Sequence, residues 1–189
     1  AKKVVSNARE QIASTLNCEA RHVFFTSGAT ESNNLTIFGL ANSEIGKSKK
    51  HIVSTTIEHE AVLEPLEELS KQGFEVELVS PSSSGVIEAS DVISKIRPDT
   101  LLVSVMHVNN ELGTVQPVAE IADGLQGTDA FFHVDAAQGY GKSLSGLTHE
   151  RIDLISISGH KIFAPKGVGI LIKKTRDYSS IKLKPLMFG

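Results

Sequence analysis

Short apolar runs alternate along this chain with amphipathic stretches, a pattern that predicts strands separated by helices. Residues 22–26 (His-Val-Phe-Phe-Thr) are β-prone and end in Ser27-Gly28. Residues 29–43 suit a helix, with Leu35, Phe38 and Leu40 among small and polar neighbours, and residues 51–55 suit a second strand. Val62, Leu66 and Leu69 then repeat at i, i+4, i+7, an amphipathic stripe that runs to Gly73. Pro65 is expected in the first turn of that helix, where a missing N–H costs little.

Further strands are expected over residues 74–80, 101–108, 131–134, 152–157 and 167–172, and helices over 91–97 and 117–125. Residues 101–108 are almost continuously apolar, as in a strand buried on both faces. Strands alternating with helices predict an α/β fold with a mainly parallel sheet. The Lys47-Ser-Lys-Lys50 cluster reads as a solvated connection.

Composition narrows the picture. The 189 residues are 40% hydrophobic and 22% charged, enough for one buried core. A formal net charge of -3 gives no electrostatic reason to expect nucleic acid or an anionic membrane as partner. No apolar run approaches the roughly 20 residues of a membrane span, and no signal peptide is expected. The single cysteine, Cys18, excludes an internal disulfide framework, so cytoplasm is the expected location. The start at Ala1-Lys2-Lys3 and the stop at Met187-Phe188-Gly189 suggest a chain truncated at both ends.

The candidate chemistry gathers behind predicted strands, where α/β sheets bind ligands. Ser27-Gly28-Ala29-Thr30 sits at a strand-to-helix turn that suits a phosphate, or is a plain N-cap. Asp135, closing Phe131-Phe-His-Val134, needs a cation or hydrogen-bond donors, and a pyridinium nitrogen is one such partner. Behind another apolar strand, Ser158-Gly159-His160-Lys161 places an amine where partial desolvation favours Schiff-base chemistry, with two side chains able to donate to a phosphate. His59 could stack on a flat ring or shuttle a proton, or simply cap a helix. The P-loop reading fails, since Gly46-Lys47-Ser48 and Gly141-Lys142-Ser143 have Ala41 and Ala136 where it needs glycine, and a dinucleotide fingerprint is weak, since Gly139-Tyr-Gly141 lacks a third glycine. No histidine or cysteine pairing has the spacing of a metal site.

Five blocks together resemble the cysteine desulfurases of the NifS/IscS type, in the class V aminotransferase family. They are Ser27-Gly-Ala-Thr-Glu-Ser32, Glu58-His59, His107-Val-Asn-Asn-Glu-Leu-Gly113, His133-Val-Asp-Ala-Ala-Gln138 and Ser158-Gly-His-Lys161. The resemblance runs from about residue 7 to the end of the chain. The third block favours this branch over SufS and the selenocysteine lyases, the nearest enzymatic rival; a non-catalytic scaffold module is the rival of another class.

The resemblance implies the large domain of a fold type I enzyme dependent on pyridoxal 5'-phosphate, a mainly parallel mixed sheet flanked by helices. Over residues 1–189 that domain would lack its N-terminal segment and the C-terminal small domain. Lys161 would carry the cofactor as a Schiff base, and Ala29, Thr30, Ser158 and His160 would hold its phosphate. Asp135 would pair the ring nitrogen, Asn110 and Gln138 would bond the phenolic oxygen, and His59 would stack on the ring and take part in proton transfer. The substrate would be L-cysteine, leaving as L-alanine while its sulfur passes to a cysteine of the enzyme. Partners would be a second copy of the chain and an acceptor or scaffold of iron–sulfur or thio-cofactor assembly. In this family the sulfur-accepting cysteine lies well downstream of the lysine, so it is expected beyond residue 189; Cys18 matches no such position. These residues alone are expected to be inactive.

Overall fold

The computed structural model describes residues 2–176 and 179–188; Ala1 and Gly189, the extreme ends of the chain, lie outside the described residues. The chain begins with helix α1 (Lys2–Thr15), for which the sequence pattern carries no expectation. Its only buried residue is Ala13, so it shows little of the apolar stripe by which a helix is read. Then follow β1 (Val23–Thr26), α2 (Ala29–Ala41), α3 (Glu44–Ser48), β2 (His51–Thr55), α4 (Glu60–Lys71) and β3 (Glu75–Val79). The second half holds α5 (Ala89–Ile93), β4 (Thr100–Met106), α6 (Val118–Gly124), β5 (Phe131–Asp135), β6 (Leu154–Ser158) and β7 (Gly169–Lys173). A short ribbon, β8 (Thr175–Arg176) with β9 (Ser179–Ser180), completes the described elements.

Two expectations need correction. The lysine-rich connection begins as helix α3, capped by Ser43, whose hydroxyl accepts from the Gly46 N–H. Gly46 is what permits the turn there, because a Cβ would overlap the carbonyls of Leu40 and Ala41. Pro65 is the sixth residue of α4 rather than part of its first turn. The helix keeps it at the cost of one intrahelical bond, and the proline ring is buried beside Leu66 and Leu69.

The seven-stranded sheet has the order β1-β7-β6-β5-β4-β2-β3. Strands β3, β2, β4, β5 and β6 are parallel, whereas β7 runs antiparallel to both β6 and β1. Two reversals restore direction, so β1 points the same way as β6. The carboxyl ends of β1, β2, β4, β5 and β6 therefore open on one edge.

Side chains alternate between the faces of each strand. Val53, Val103, Val105, Phe132, Val134, Ile155 and Ile157 join the core shared with α1, α5 and α6. Ile52, Leu102, Phe131 and Leu154 join the core under α2 and α4. On that second face the next layer toward the carboxyl edge is polar and buried: Ser54, Ser104, His133 and Ser156. Ser54 Oγ donates to the Ser104 carbonyl at 2.8 Å, and the His133 ring bridges Ser104 Oγ and Ser156 Oγ at 2.9 Å each. One layer further come Met106, Asp135 and Ser158. The sheet thus turns from apolar to polar along its own strands, toward the edge where the site lies. Among the described residues, no helix is long and apolar enough to cross a membrane.

Candidate active site

The carboxyl edge holds a cavity of about 450 Å³. Ala29, Thr30, His59, Asn110, Asp135, Gln138, Ser158, His160 and Lys161 all line it, so nine residues chosen from five separate blocks face one space.

The turn from β1 into α2 forms one wall. The first turn of a helix leaves N–H groups without intrahelical partners, and no side chain caps α2. The Ser27 hydroxyl is engaged elsewhere: it and the Ser27 N–H both donate to Glu31 Oε2, at 2.6 and 2.7 Å. Those bonds hold the Glu31 carboxyl below its usual range. A Cβ at Gly28 would meet nothing within 4 Å, so the backbone faces open space. Behind the turn lies Gly169, the first residue of β7, where a Cβ would sit 2.7 Å from the Gly28 nitrogen. Only a glycine lets β7 pass so close.

His59 caps α4, its Nδ1 accepting the Ala61 N–H at 3.0 Å. With Nδ1 committed as an acceptor, Nε2 is the ring nitrogen left for another partner. Asn110 follows a bridge between Val108 and Val115. The preceding Asn109 is buried and organises the turn, accepting from the N–H groups of Glu111 and Leu112.

Asp135 is only 5% exposed. Its Oδ2 accepts from Asn33 Nδ2 at 2.7 Å and its Oδ1 from the Ala137 N–H at 2.9 Å. Burial pushes its carboxyl up, the two hydrogen bonds and the nearby His59 opposing. No lysine or arginine among the described residues forms an ion pair with it. Gln138 follows on a loop whose Gly139 packs against the His107 ring, where a Cβ would overlap it.

Lys161 lies in a single 3-10 turn, Gly159–Ile162, after β6. It is half-buried at the cavity wall, and Ser158 Oγ contacts His160 Nδ1 at 3.0 Å beside it. The sequence patterns gave no role to Asn33, Met106 or Val108, which also line the cavity. Asn33 lies inside a helix, where only an approach to Asp135 marks it out. Cys18, by contrast, follows α1, half-buried against the core and away from the cavity lining. Burial pushes its thiol up. No cluster of three or more His, Cys, Asp or Glu side chains among the described residues is arranged to hold a metal ion.

The family model described as aminotransferase class-V matches residues 1–189. The cysteine desulfurase IscS of Vibrio cholerae is 44% identical over all 189 residues, which cover 46% of that protein. The probable mitochondrial cysteine desulfurase of Schizosaccharomyces pombe is 46% identical, with 37% of its length covered. Among solved structures, DndA from Streptomyces lividans superposes with a TM-score of 0.95 at 54% identity, over the whole chain and 53% of its own. SspA in complex with cysteine gives 0.88 at 42%, over 99% of this chain and 53% of its own. The chain spans about half the length of these relatives, or less. By its family match and by the fold of these neighbours, it belongs to the aminotransferase class-V family.

Proposed function

We propose that these residues form the cofactor-binding large domain of a pyridoxal phosphate-dependent cysteine desulfurase, which takes sulfur from L-cysteine and releases L-alanine. The observation that carries it is Asp135: a buried carboxylate lining the cavity, with two donors and, among the described residues, no lysine or arginine paired with it, facing the same space as Lys161. The site fits the cofactor on its own chemistry. A ring N–H⁺ would complete the Asp135 shell, the uncapped α2 turn suits a phosphate, and an amine stands ready for a carbonyl. When bound, pyridoxal phosphate supplies an electron-withdrawing ring that weakens bonds at the carbon bearing the substrate's amino group.

The chain's own groups divide the remaining work. Asp135 would keep the ring nitrogen protonated. Ala29 and Thr30 on one side, with Ser158 and His160 on the other, would hold the phosphate, and Asn110 and Gln138 the phenolic oxygen. His59 would lie on the ring face and take part in proton transfer through Nε2, since Nδ1 is committed to the cap of α4. Lys161 would hold the cofactor and exchange protons with the substrate. The sulfur would pass to a cysteine thiol, giving a persulfide, and Cys18 is not assigned that part. Relatives named as cysteine desulfurases and a neighbour solved with cysteine support the substrate. Pairing of two copies, transfer to an iron–sulfur or thio-cofactor acceptor and a cytoplasmic location belong to the same proposal.

The test is direct. Adding pyridoxal phosphate and reducing with borohydride should attach the cofactor to one peptide, the one containing Lys161, and Lys161→Ala should abolish the attachment. A label on any other lysine overturns the assignment.

A further inference from the structure

Glu58 has no task in this scheme, yet it is only 6% exposed and stands immediately before His59. Its hydrogen bonds fall on one oxygen: Oε1 accepts from Thr55 Oγ1 at 2.7 Å and from the Met106 N–H at 2.9 Å, while Oε2 is buried without a partner. Thr55 ends β2 and Met106 ends β4, so this carboxyl ties two strand ends together. A second tie runs alongside, from Asn109 Nδ2 to the Ile57 carbonyl at 3.0 Å. The turn that carries His59 is thereby fastened to β4 before the ring caps α4.

A charged carboxylate would be poorly placed here. Among the described residues no cation pairs with Glu58, and the ionisable group acting on it is the equally buried Asp135. Thr55 from β2 and Met106 from β4 are neutral, and His59 acts on Asp135. Burial, with Asp135 adding to it, pushes the Glu58 carboxyl up to about 8, its two hydrogen bonds opposing.

We propose that Glu58 is a positioning residue: a buried acid that latches the β2–α4 turn onto β4 and holds His59 over the cavity, while Asp135 is left to face the ring nitrogen. This rests on the cofactor assignment above. Glu58→Gln keeps the accepting oxygen and never ionises; Glu58→Ala removes the latch.

The readouts are pyridoxal phosphate affinity, the circular dichroism induced in its visible band, and the pH dependence of folding stability, on the full-length protein. Glu58→Gln should match wild type at pH 7, within about twofold in affinity, with the same induced dichroism. Glu58→Ala should lose at least about half of that dichroism, because the ring facing the cofactor is no longer fixed. Wild-type stability should fall as pH rises through about 8, where the folded Glu58 carboxyl ionises beside Asp135, and Glu58→Gln should lack that fall. If Glu58→Gln behaves like Glu58→Ala, or Glu58→Ala like wild type, the proposal fails. Should Glu58→Ala not fold, a fall in stability through pH 8 retained in Glu58→Gln still overturns it. Wild type that binds no pyridoxal phosphate sinks the cofactor assignment itself, a distinct result.

Discussion

Asn33 in α2 donates a 2.7 Å hydrogen bond to Asp135 at the end of β5, 102 positions along the chain. Both groups are buried, and the bond fixes one carboxylate oxygen while Ala137 fixes the other. Removing the donor leaves a buried carboxylate underbonded, which costs about 1–3 kcal/mol. Asn33→Ala should therefore lower the melting temperature and raise the proton affinity of Asp135, weakening its hold on a cationic ring. Asn33→Asp should be worse, because two acids then face each other in a dry site. Thermal denaturation and cofactor titration check both; an unchanged cofactor affinity in the aspartate variant would contradict this account.

Gly169 and Gly28 make a second long-range contact, of backbone on backbone. Gly169→Ala forces β7 and the phosphate-facing turn apart. The effect should fall on the phosphate and spare the ring. Affinity for pyridoxal phosphate should drop by roughly tenfold or more, about 1.4 kcal/mol, with affinity for unphosphorylated pyridoxal nearly unchanged. Equal losses for the two would mean a general destabilisation.

His133 sits buried between Ser104 and Ser156, and burial pushes its ring down to about 3. The unfolded chain binds a proton at the ordinary value of 6.5, so it takes up more protons than the folded one in between. The stability this neutral ring allows is present above pH 6.5 and lost as pH falls toward 3. The loss is on the order of a few kcal/mol. Denaturant unfolding at pH 7, 5.5 and 4 should show it, and His133→Gln should show a shallower fall.

Glu58 works in the opposite direction. Its folded value near 8 lies above the ordinary 4.5, so the folded state holds the extra proton. Stability from this group is complete below about 4.5 and declines as pH rises through 8. Glu58→Gln should gain on wild type between pH 5 and pH 9, again by on the order of a few kcal/mol. A constant difference between the two proteins across that range would show that Glu58 is already ionised at pH 5.

Much of this molecule is legible along the chain. Apolar runs such as residues 101–108 announce buried strands, and the i, i+4, i+7 stripe of Val62, Leu66 and Leu69 announces α4. Five blocks of small and polar residues at strand ends name the cavity's main residues, because alternation and strand-end chemistry are local properties that survive in one dimension. Tertiary structure decided the rest. The antiparallel insertion of β7, which brings Gly169 behind Gly28, depends on which strands pair, and no local pattern encodes pairing. Asn33 looks like an ordinary polar residue until α2 lies on β5, and Glu58, though it stands in a strand-end block, shows its latch only once β2 lies beside β4. A buried donor or acid takes its meaning from the group it faces, and only the folded arrangement of distant segments supplies that group.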